Sequence, residues 1–261
     1  MAEIQGFHIV DDSYSAPPSN LFGTGYQSRD FSAEPMWKCG TPSTITTMSE
    51  KEIIERIAEQ EAKKTRMIDH ADRVGLKAKN QTSSSFCHVH APVHGMEYRY
   101  ILAHGKLLVL SAFYPGAHVT GGRNVGGSGI TDIKFLASHG TCLESLHPPL
   151  PDRNAFSVDN NPEHVANAAR HKIATYEDLD PSDMLAIYTR IVLGIPVTVG
   201  IPAWGHEVLL TFLVVQSGKI YPGFDNSWGP EWGTEGRGVL SGAKMRFDEA
   251  GAIEECTPAN G

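Results

Sequence analysis

Apolar residues fall at helical spacing just after Ser49, where Ile53, Ile54 and Ile57 make one stripe. The run Ser49-Glu50-Lys51-Glu52 is a capping box, so a helix is expected from there to about Arg66. Helical patterning returns after Cys87 and continues to about Leu102, with Pro92 and Gly95 inside it. Proline in a helix interior removes a hydrogen bond and clashes with the preceding turn, a penalty of ~3 kcal/mol. A kink or an irregular first turn is therefore expected. Further on, the pattern predicts a strand over 106–113 and a helix over 129–138 with Ile130, Ile133, Phe135, Leu136 and Ala137 mostly inward. Pro148, Pro149, Pro151 and Pro162 mark a loop, and a helix over 181–193 has Asp180 as its expected N-cap. The last third changes period. Stretches 196–201, 208–216, 219–224 and 237–247 are short, rich in β-branched or aromatic residues, and separated by glycine turns, as strands are. Helices first and strands last is the α+β pattern.

Residues 1 to about 47 have no period and are rich in Gly, Pro, Ser and Thr. Phe7, Tyr14, Phe22, Tyr26, Phe31 and Trp37 are too many aromatics for a solvated linker, so this arm is expected to lie on the body or on a partner. The chain thus divides into an arm plus capped helix (1–66), a docking or pro-like extension, and a body (67–261).

At 261 residues and 41% hydrophobic, the chain has enough apolar material for a substantial core. Net charge −8 with no run of Lys and Arg argues against nucleic acid or an anionic membrane as partner. No apolar stretch approaches the ~18–20 residues that cross a bilayer, and no basic region precedes an apolar one at the N-terminus, so no cleaved signal is expected. Cys39, Cys87, Cys142 and Cys256 are few for a secreted protein, which suggests synthesis in a reducing cytoplasm.

Three remote residues carry the candidate chemistry. Cys87 closes Gln81-Thr82-Ser83-Ser84-Ser85-Phe86-Cys87, His206 lies in Trp204-Gly205-His206-Glu207, and Asn226 opens Asn226-Ser227-Trp228-Gly229. A free thiol is mostly protonated at neutral pH and attacks carbonyls poorly, whereas an adjacent imidazole can take its proton. An Asn oxygen can fix which imidazole nitrogen faces the sulfur. The Gln81 amide and the Cys87 backbone N–H are then available to an oxyanion.

At these residues the chain resembles the papain-type cysteine peptidases, from about Asp69 to about Phe247. The blocks are 74–81 leading to Gln81, then Cys87, Gly126-Gly127 with the helix behind them, 194–201, Gly205-His206-Glu207, and Asn226-Ser227-Trp228-Gly229. The resemblance implies a two-lobed fold, with a helical N-terminal lobe and an antiparallel, β-barrel-like C-terminal lobe. It also implies a cysteine endopeptidase that needs no cofactor and takes peptide or protein substrates. Cys87 would be nucleophile, His206 base and then acid, Asn226 its orienter and Gln81 an oxyanion donor. Gly126 and Gly127 would pair with substrate backbone, Trp228 would cover the Asn–His bond, and Glu207 would stand near a substrate side-chain pocket and favour a basic group. One departure is coherent: the half-cystine three residues before the nucleophile is Ser84, and its usual partner position is Asn124.

Rival readings exist. Cys87, His90 and His94 would share one helix face, a zinc-ligand arrangement; metal-free, the same fold could serve as a non-catalytic part of a larger assembly. A peptidase of cell-wall cross-links would use similar chemistry but leaves the Asn-Ser-Trp-Gly block unexplained.

Overall fold

The computed structural model of the chain describes residues 3–15, 23–30, 32, 38–39, 44–149 and 156–257. Phe22, Phe31 and Trp37 of the arm and Pro151 of the loop lie outside the described residues. In chain order the elements are β1 (Glu3–Ile4), β2 (Phe7–Val10), β3 (Lys38–Cys39), α1 (Glu50–Lys63), α2 (Met67–Val74), α3 (Cys87–His104), α4 (Phe113–Thr120), α5 (Gly129–Ser138), α6 (Pro162–Ala168), β4 (Ile173–Asp178), α7 (Met184–Val192), β5 (Val197–Ile201), β6 (His206–Gln216), β7 (Lys219–Asp225), β8 (Arg237–Leu240), a 3₁₀ turn (Gly242–Met245) and β9 (Glu249–Cys256).

The capping box forms as expected: Glu52 N–H donates to the Ser49 hydroxyl and Ser49 N–H to the Glu52 carboxylate. Helix α5 has the predicted bounds. Helix α3 keeps helical backbone through Pro92. Gly95 accounts for the other unusual residue. A Cβ there would run into Ile253 and Leu209, so the missing side chain lets α3 settle on β9 and β6.

Several expectations are corrected. The stretch 106–113 is not a strand; it leads into α4, where apolar Phe113, Tyr114 and Ala117 are buried. Helix α6 emerges from the expected loop, and α7 starts three residues later than predicted, capped by Asp183. The span 237–247 splits into β8 and the 3₁₀ turn, and β4 and β9 add two strands.

The sheet is open, not barrel-like. Its nine strands run in the order β1-β2-β8-β7-β6-β5-β9-β4-β3. The terminal positions belong to two-residue strands, β1 and β3, which have too few backbone groups to close a barrel. Both come from the arm, which is therefore not irregular throughout: β2 lies parallel on β8, and β3 antiparallel on β4. Between Val10 and Lys38 the chain must pass from one rim of the sheet to the other.

Two large apolar clusters divide the interior. One gathers α1, α2, α7 and most of the sheet; the other gathers Phe86, Phe113, Ile130, Ile133 and Leu136 with Ile253 of β9. Helix α3 supplies both, giving Tyr98 and Ile101 to the first and Val89, Val93 and Met96 to the second. A buried polar link ties it further: the Tyr98 hydroxyl and the Arg237 guanidinium both donate to Asp225, and Arg237 also pairs with Asp72 at 2.7 Å.

Because Gly95 is the contact point of α3 with the sheet, Gly95→Val is expected to lower stability by ~1–3 kcal/mol through overpacking, read as an earlier urea midpoint with unchanged slope.

Candidate active site

The site is assembled by a seam between two remote segments. Gln81 N–H donates to the Ser227 carbonyl at 2.7 Å, Gly229 N–H to the Lys79 carbonyl at 2.8 Å, and Asn80 and Trp228 face each other as an antiparallel pair. The Ser227 hydroxyl donates to Gln81 Oε1. That bond leaves Gln81 Nε2 pointing away as a donor, to the carbonyls of Ser84 at 2.8 Å and Gly23 at 3.0 Å.

His206 opens β6 after a turn that ends at Gly205, whose φ of 63° suits glycine. Asn226 follows β7 directly, and antiparallel pairing of β6 with β7 brings the two side chains together. His206 Nε2 lies 2.8 Å from Asn226 Oδ1, which also accepts the Ser227 N–H at 2.8 Å. An oxygen that receives a backbone N–H can only be the acceptor, so Nε2 carries the imidazole proton. Nδ1 is left as the basic nitrogen, buried and without a hydrogen-bond partner among the described residues. Trp228, 2% exposed, lies 4.7 Å from the imidazole between ring centroids and covers this bond from water. Trp232 is a packing residue against Trp204 and Phe224.

Cys87 is the first residue of α3, at the helix end whose dipole favours an anion. The backbone N–H groups of Glu207, Gly25 and His88 are directed at its sulfur, which places it against the residue that follows His206. Burial nevertheless dominates. The thiol is fully covered and pushed up to about 12. Burial also lowers His206 to about 4, opposed only by its bond to Asn226. The pair is therefore neutral in this state.

The arm reaches the sulfur through the Gly25 N–H. Residues 23–30 form a strap across the site. The Gly23 carbonyl accepts from Gln81 Nε2 and from Trp228 Nε1, each at 3.0 Å. Gly127 N–H donates to the Gly25 carbonyl at 2.9 Å, and Gln27 N–H to the Gly127 carbonyl at 2.8 Å, so the strap lies parallel to the Gly126-Gly127 segment. Side chains at Gly23, Gly25 or Gly126 would strike backbone atoms. A cavity of ≈ 500 Å³ adjoins the strap between Gln27 and Ser28 and the His88, Arg123 and Gly126 side. Glu207 is buried, hydrogen-bonded to Thr198 and near Glu249.

Structures with this arrangement of elements are known. Digestive procathepsin L 3 of the Tenebrio molitor larval midgut is 17% identical with a TM-score of 0.57, over 68% of this chain and 66% of that one. The ragweed pollen cysteine protease Amb a 11, in its proform, is 18% identical with a TM-score of 0.59, over 69% and 63%. Bromelain of Ananas comosus, in complex with E64, is 19% identical with a TM-score of 0.55, over 69% and 94%. The fold is papain-type. The chain spans about two thirds of the length of the two proforms. No protein-family model and no curated protein matches it.

At Ser84 and Asn124, where the resemblance implied a half-cystine pair, the contacts are polar. Asn124 Oδ1 accepts the Ser85 N–H at 2.7 Å, and the Ser84 hydroxyl donates to the Gln81 carbonyl at 2.6 Å, so the turn before Cys87 is held by hydrogen bonds. The zinc reading is corrected. His90 Nδ1 is 2.7 Å from the Phe86 carbonyl and His94 Nδ1 is 2.6 Å from Glu97, and no three such ligands converge among the described residues. Two details escaped the sequence: the His88–Asp132 pair at 2.5 Å beside the cavity, and the place where the arm crosses the body. Gly23-Thr24-Gly25-Tyr26, two glycines before an aromatic in a segment without period, was the available sign of a close backbone approach.

His206 is expected to stay neutral in the intact chain down to about pH 4, and Asn226→Ala to lower that point further, both read from imidazole NMR shifts. Since an unfolded histidine binds its proton near 6.5, this group's contribution to stability is complete above 6.5 and is lost as pH falls toward 4.

Proposed function

We propose that the protein is a cysteine endopeptidase held latent by its own strap. One observation carries the reading: the imidazole proton sits on the Asn226 side, and the basic Nδ1 is left without a hydrogen-bond partner among the described residues, on the residue next to Glu207, whose backbone N–H lies at the Cys87 sulfur. In the open site Nδ1 takes the Cys87 thiol proton, and the thiolate so formed attacks a peptide carbonyl. The oxyanion meets Gln81 Nε2 and the Cys87 N–H, and the tetrahedral species collapses to a thioester as the imidazolium protonates the leaving amine. A water then enters, deprotonated by the same imidazole, and the thioester is hydrolysed. The papain-type fold and the peptidases that share it support this reading, as does the Gly23 carbonyl, which accepts from Gln81 as a substrate carbonyl would. The cleft would lie between a helical and a sheet-rich lobe.

The strap supplies the latency. By excluding water it holds thiol and imidazole neutral; displacement restores solvent and with it the ion pair. The full cover over the sulfur also favours a second reading, a non-catalytic papain-type scaffold.

Gly25→Val separates the two, because its side chain collides with the Ser85 backbone and unseats the strap without replacing any of the proposed catalytic side chains. Labelling of Cys87 by a peptidyl epoxide is expected to be at least ~10-fold faster in this variant than in the unaltered chain, and ~10²–10⁴-fold slower again when His206→Ala is added. Labelling that is indifferent to His206 in the unseated variant would leave the scaffold reading.

A further inference from the structure

Asn226 uses only one end of its amide at the site. Its Oδ1 accepts from His206 Nε2 and from Ser227 N–H, while Nδ2 is buried with no hydrogen-bond partner among the described residues. Asn226 is also in the wall of a cavity of ≈ 10 Å³, together with His90 and His94 of α3. These are the two histidines that a zinc site would have used, and the proposed reaction gives them no task.

Each of the two rings has one nitrogen committed and one left over. His90 Nδ1 lies 2.7 Å from the Phe86 carbonyl, which can only accept, so Nδ1 carries the proton. Burial lowers this ring to about 3, so it is neutral and Nε2 keeps a lone pair. His94 Nδ1 lies 2.6 Å from the Glu97 carboxylate, and in the neutral ring its Nε2 is an acceptor too. No described residue is hydrogen-bonded to either Nε2. The other polar groups of the wall are taken. Lys79 Nζ meets the Leu110 carbonyl at 2.6 Å, Glu97 at 2.6 Å and Glu144 at 3.3 Å. Asp225 accepts from Tyr98 and Arg237, the Ser227 hydroxyl donates to Gln81 Oε1, and the Glu207 carboxyl is turned to Thr198 and Gly129. What remains is one amide donor and two imidazole acceptors around a space near the ~10–15 Å³ that a water needs. A water has the inverse set: it accepts from Asn226 and donates one hydrogen to each imidazole. A buried donor left unpaired is costly, and a bridging water is enthalpically close to a direct bond.

We propose that one buried water bridges Asn226 Nδ2 to His90 and His94, and that the two histidines are positioning residues for the His206–Asn226 pair. The chemistry this serves rests on the peptidase reading; the bridge itself does not. An amide whose N–H is bonded is polarised, and its oxygen becomes a better acceptor. Oδ1 then holds His206 Nε2–H more firmly, which fixes the ring and favours the imidazolium formed in the reaction. Cys87, His90 and His94 ride on one helix, so the nucleophile and the supports of its base share a rigid element.

Two measurements use the unaltered full chain. A high-resolution crystal structure is expected to show one ordered water within ~3 Å of Asn226 Nδ2 and of both Nε2 atoms, and long-range proton–nitrogen NMR to show His90 protonated at Nδ1 alone. A cavity without that water, or a proton on His90 Nε2, would overturn the proposal. His90→Phe then keeps a ring and removes the acceptor, and His90→Gln restores an acceptor at similar reach. The His206 Nε2–H resonance is expected to move upfield in His90→Phe, the sign of a weaker bond to Asn226, and to return most of the way in His90→Gln. Val89→Ala, a packing change on the same helix, is expected to lower stability and leave that resonance in place. A resonance that ignores His90, or moves as far in Val89→Ala, would end the positioning role. In the Gly25→Val background, His90→Phe is expected to slow epoxide labelling of Cys87 by ~3–10-fold and His90→Gln by less than ~2-fold. Labelling that depends on His206 yet ignores His90 counts against the positioning role as well. Labelling indifferent to His206, with the resonances in the expected order, would sink the peptidase reading and leave the water bridge standing.

Discussion

Gln81 and Ser227 exchange contacts through both backbone and side chain, and the rest of the site depends on that seam. Gln81 belongs to the approach to α3, Ser227 to the turn after β7. Without the pairing, the sulfur at the head of α3 and the imidazole at the head of β6 have no common frame. The seam also explains the polar groups around it. A buried amide or imidazole left without a partner is costly, so Gln81, Ser84, Asn226 and Ser227 satisfy one another in sequence. His206 Nδ1 is left over, and the proposed chemistry uses it.

The electrostatics of the covered state follow from one cause. Water exclusion disfavours charge on every member, raising the thiol and lowering the imidazole. The helix dipole beneath Cys87 and the Asn226 bond to His206 act in the opposite direction and are outweighed. A site built to hold an ion pair can therefore be kept chemically quiet without moving either partner, by drying it.

How much was legible in the sequence depended on the kind of signal. Helix α5 and the starts of β5 and β7 were visible because apolar period and glycine turns act locally. The stretch 106–113 misled because a run of Leu and Val fits a strand, whereas here Leu107 and Val109 lie exposed in a connection; the following helix α4 begins with aromatic residues that favour strands in isolation. Pro92 misled differently: a helix tolerates proline where packing on both sides outweighs the lost bond, and α3 is buried along most of its length. Gln81, Cys87, His206 and Asn226 were readable as types and spacings; the fold bonds His206 to Asn226 and Gln81 to Ser227, and sets Glu207 beside the Cys87 sulfur. The strap was not, because its placement rests on backbone-to-backbone bonds from Gly25 and Gln27 to Gly127, and such bonds leave no side-chain signature.

The strap is fastened at both rims of the sheet, through β2 on β8 and β3 on β4. Such a ligand cannot diffuse away. Its return is a first-order event, independent of how dilute the protein is, and an outside peptide competes against an effective concentration that for short tethers lies in the millimolar range. A single backbone cut between the two fastenings would turn the strap into two flaps, each still clipped to the sheet. The nicked molecule would keep all its mass while losing most of its tether advantage.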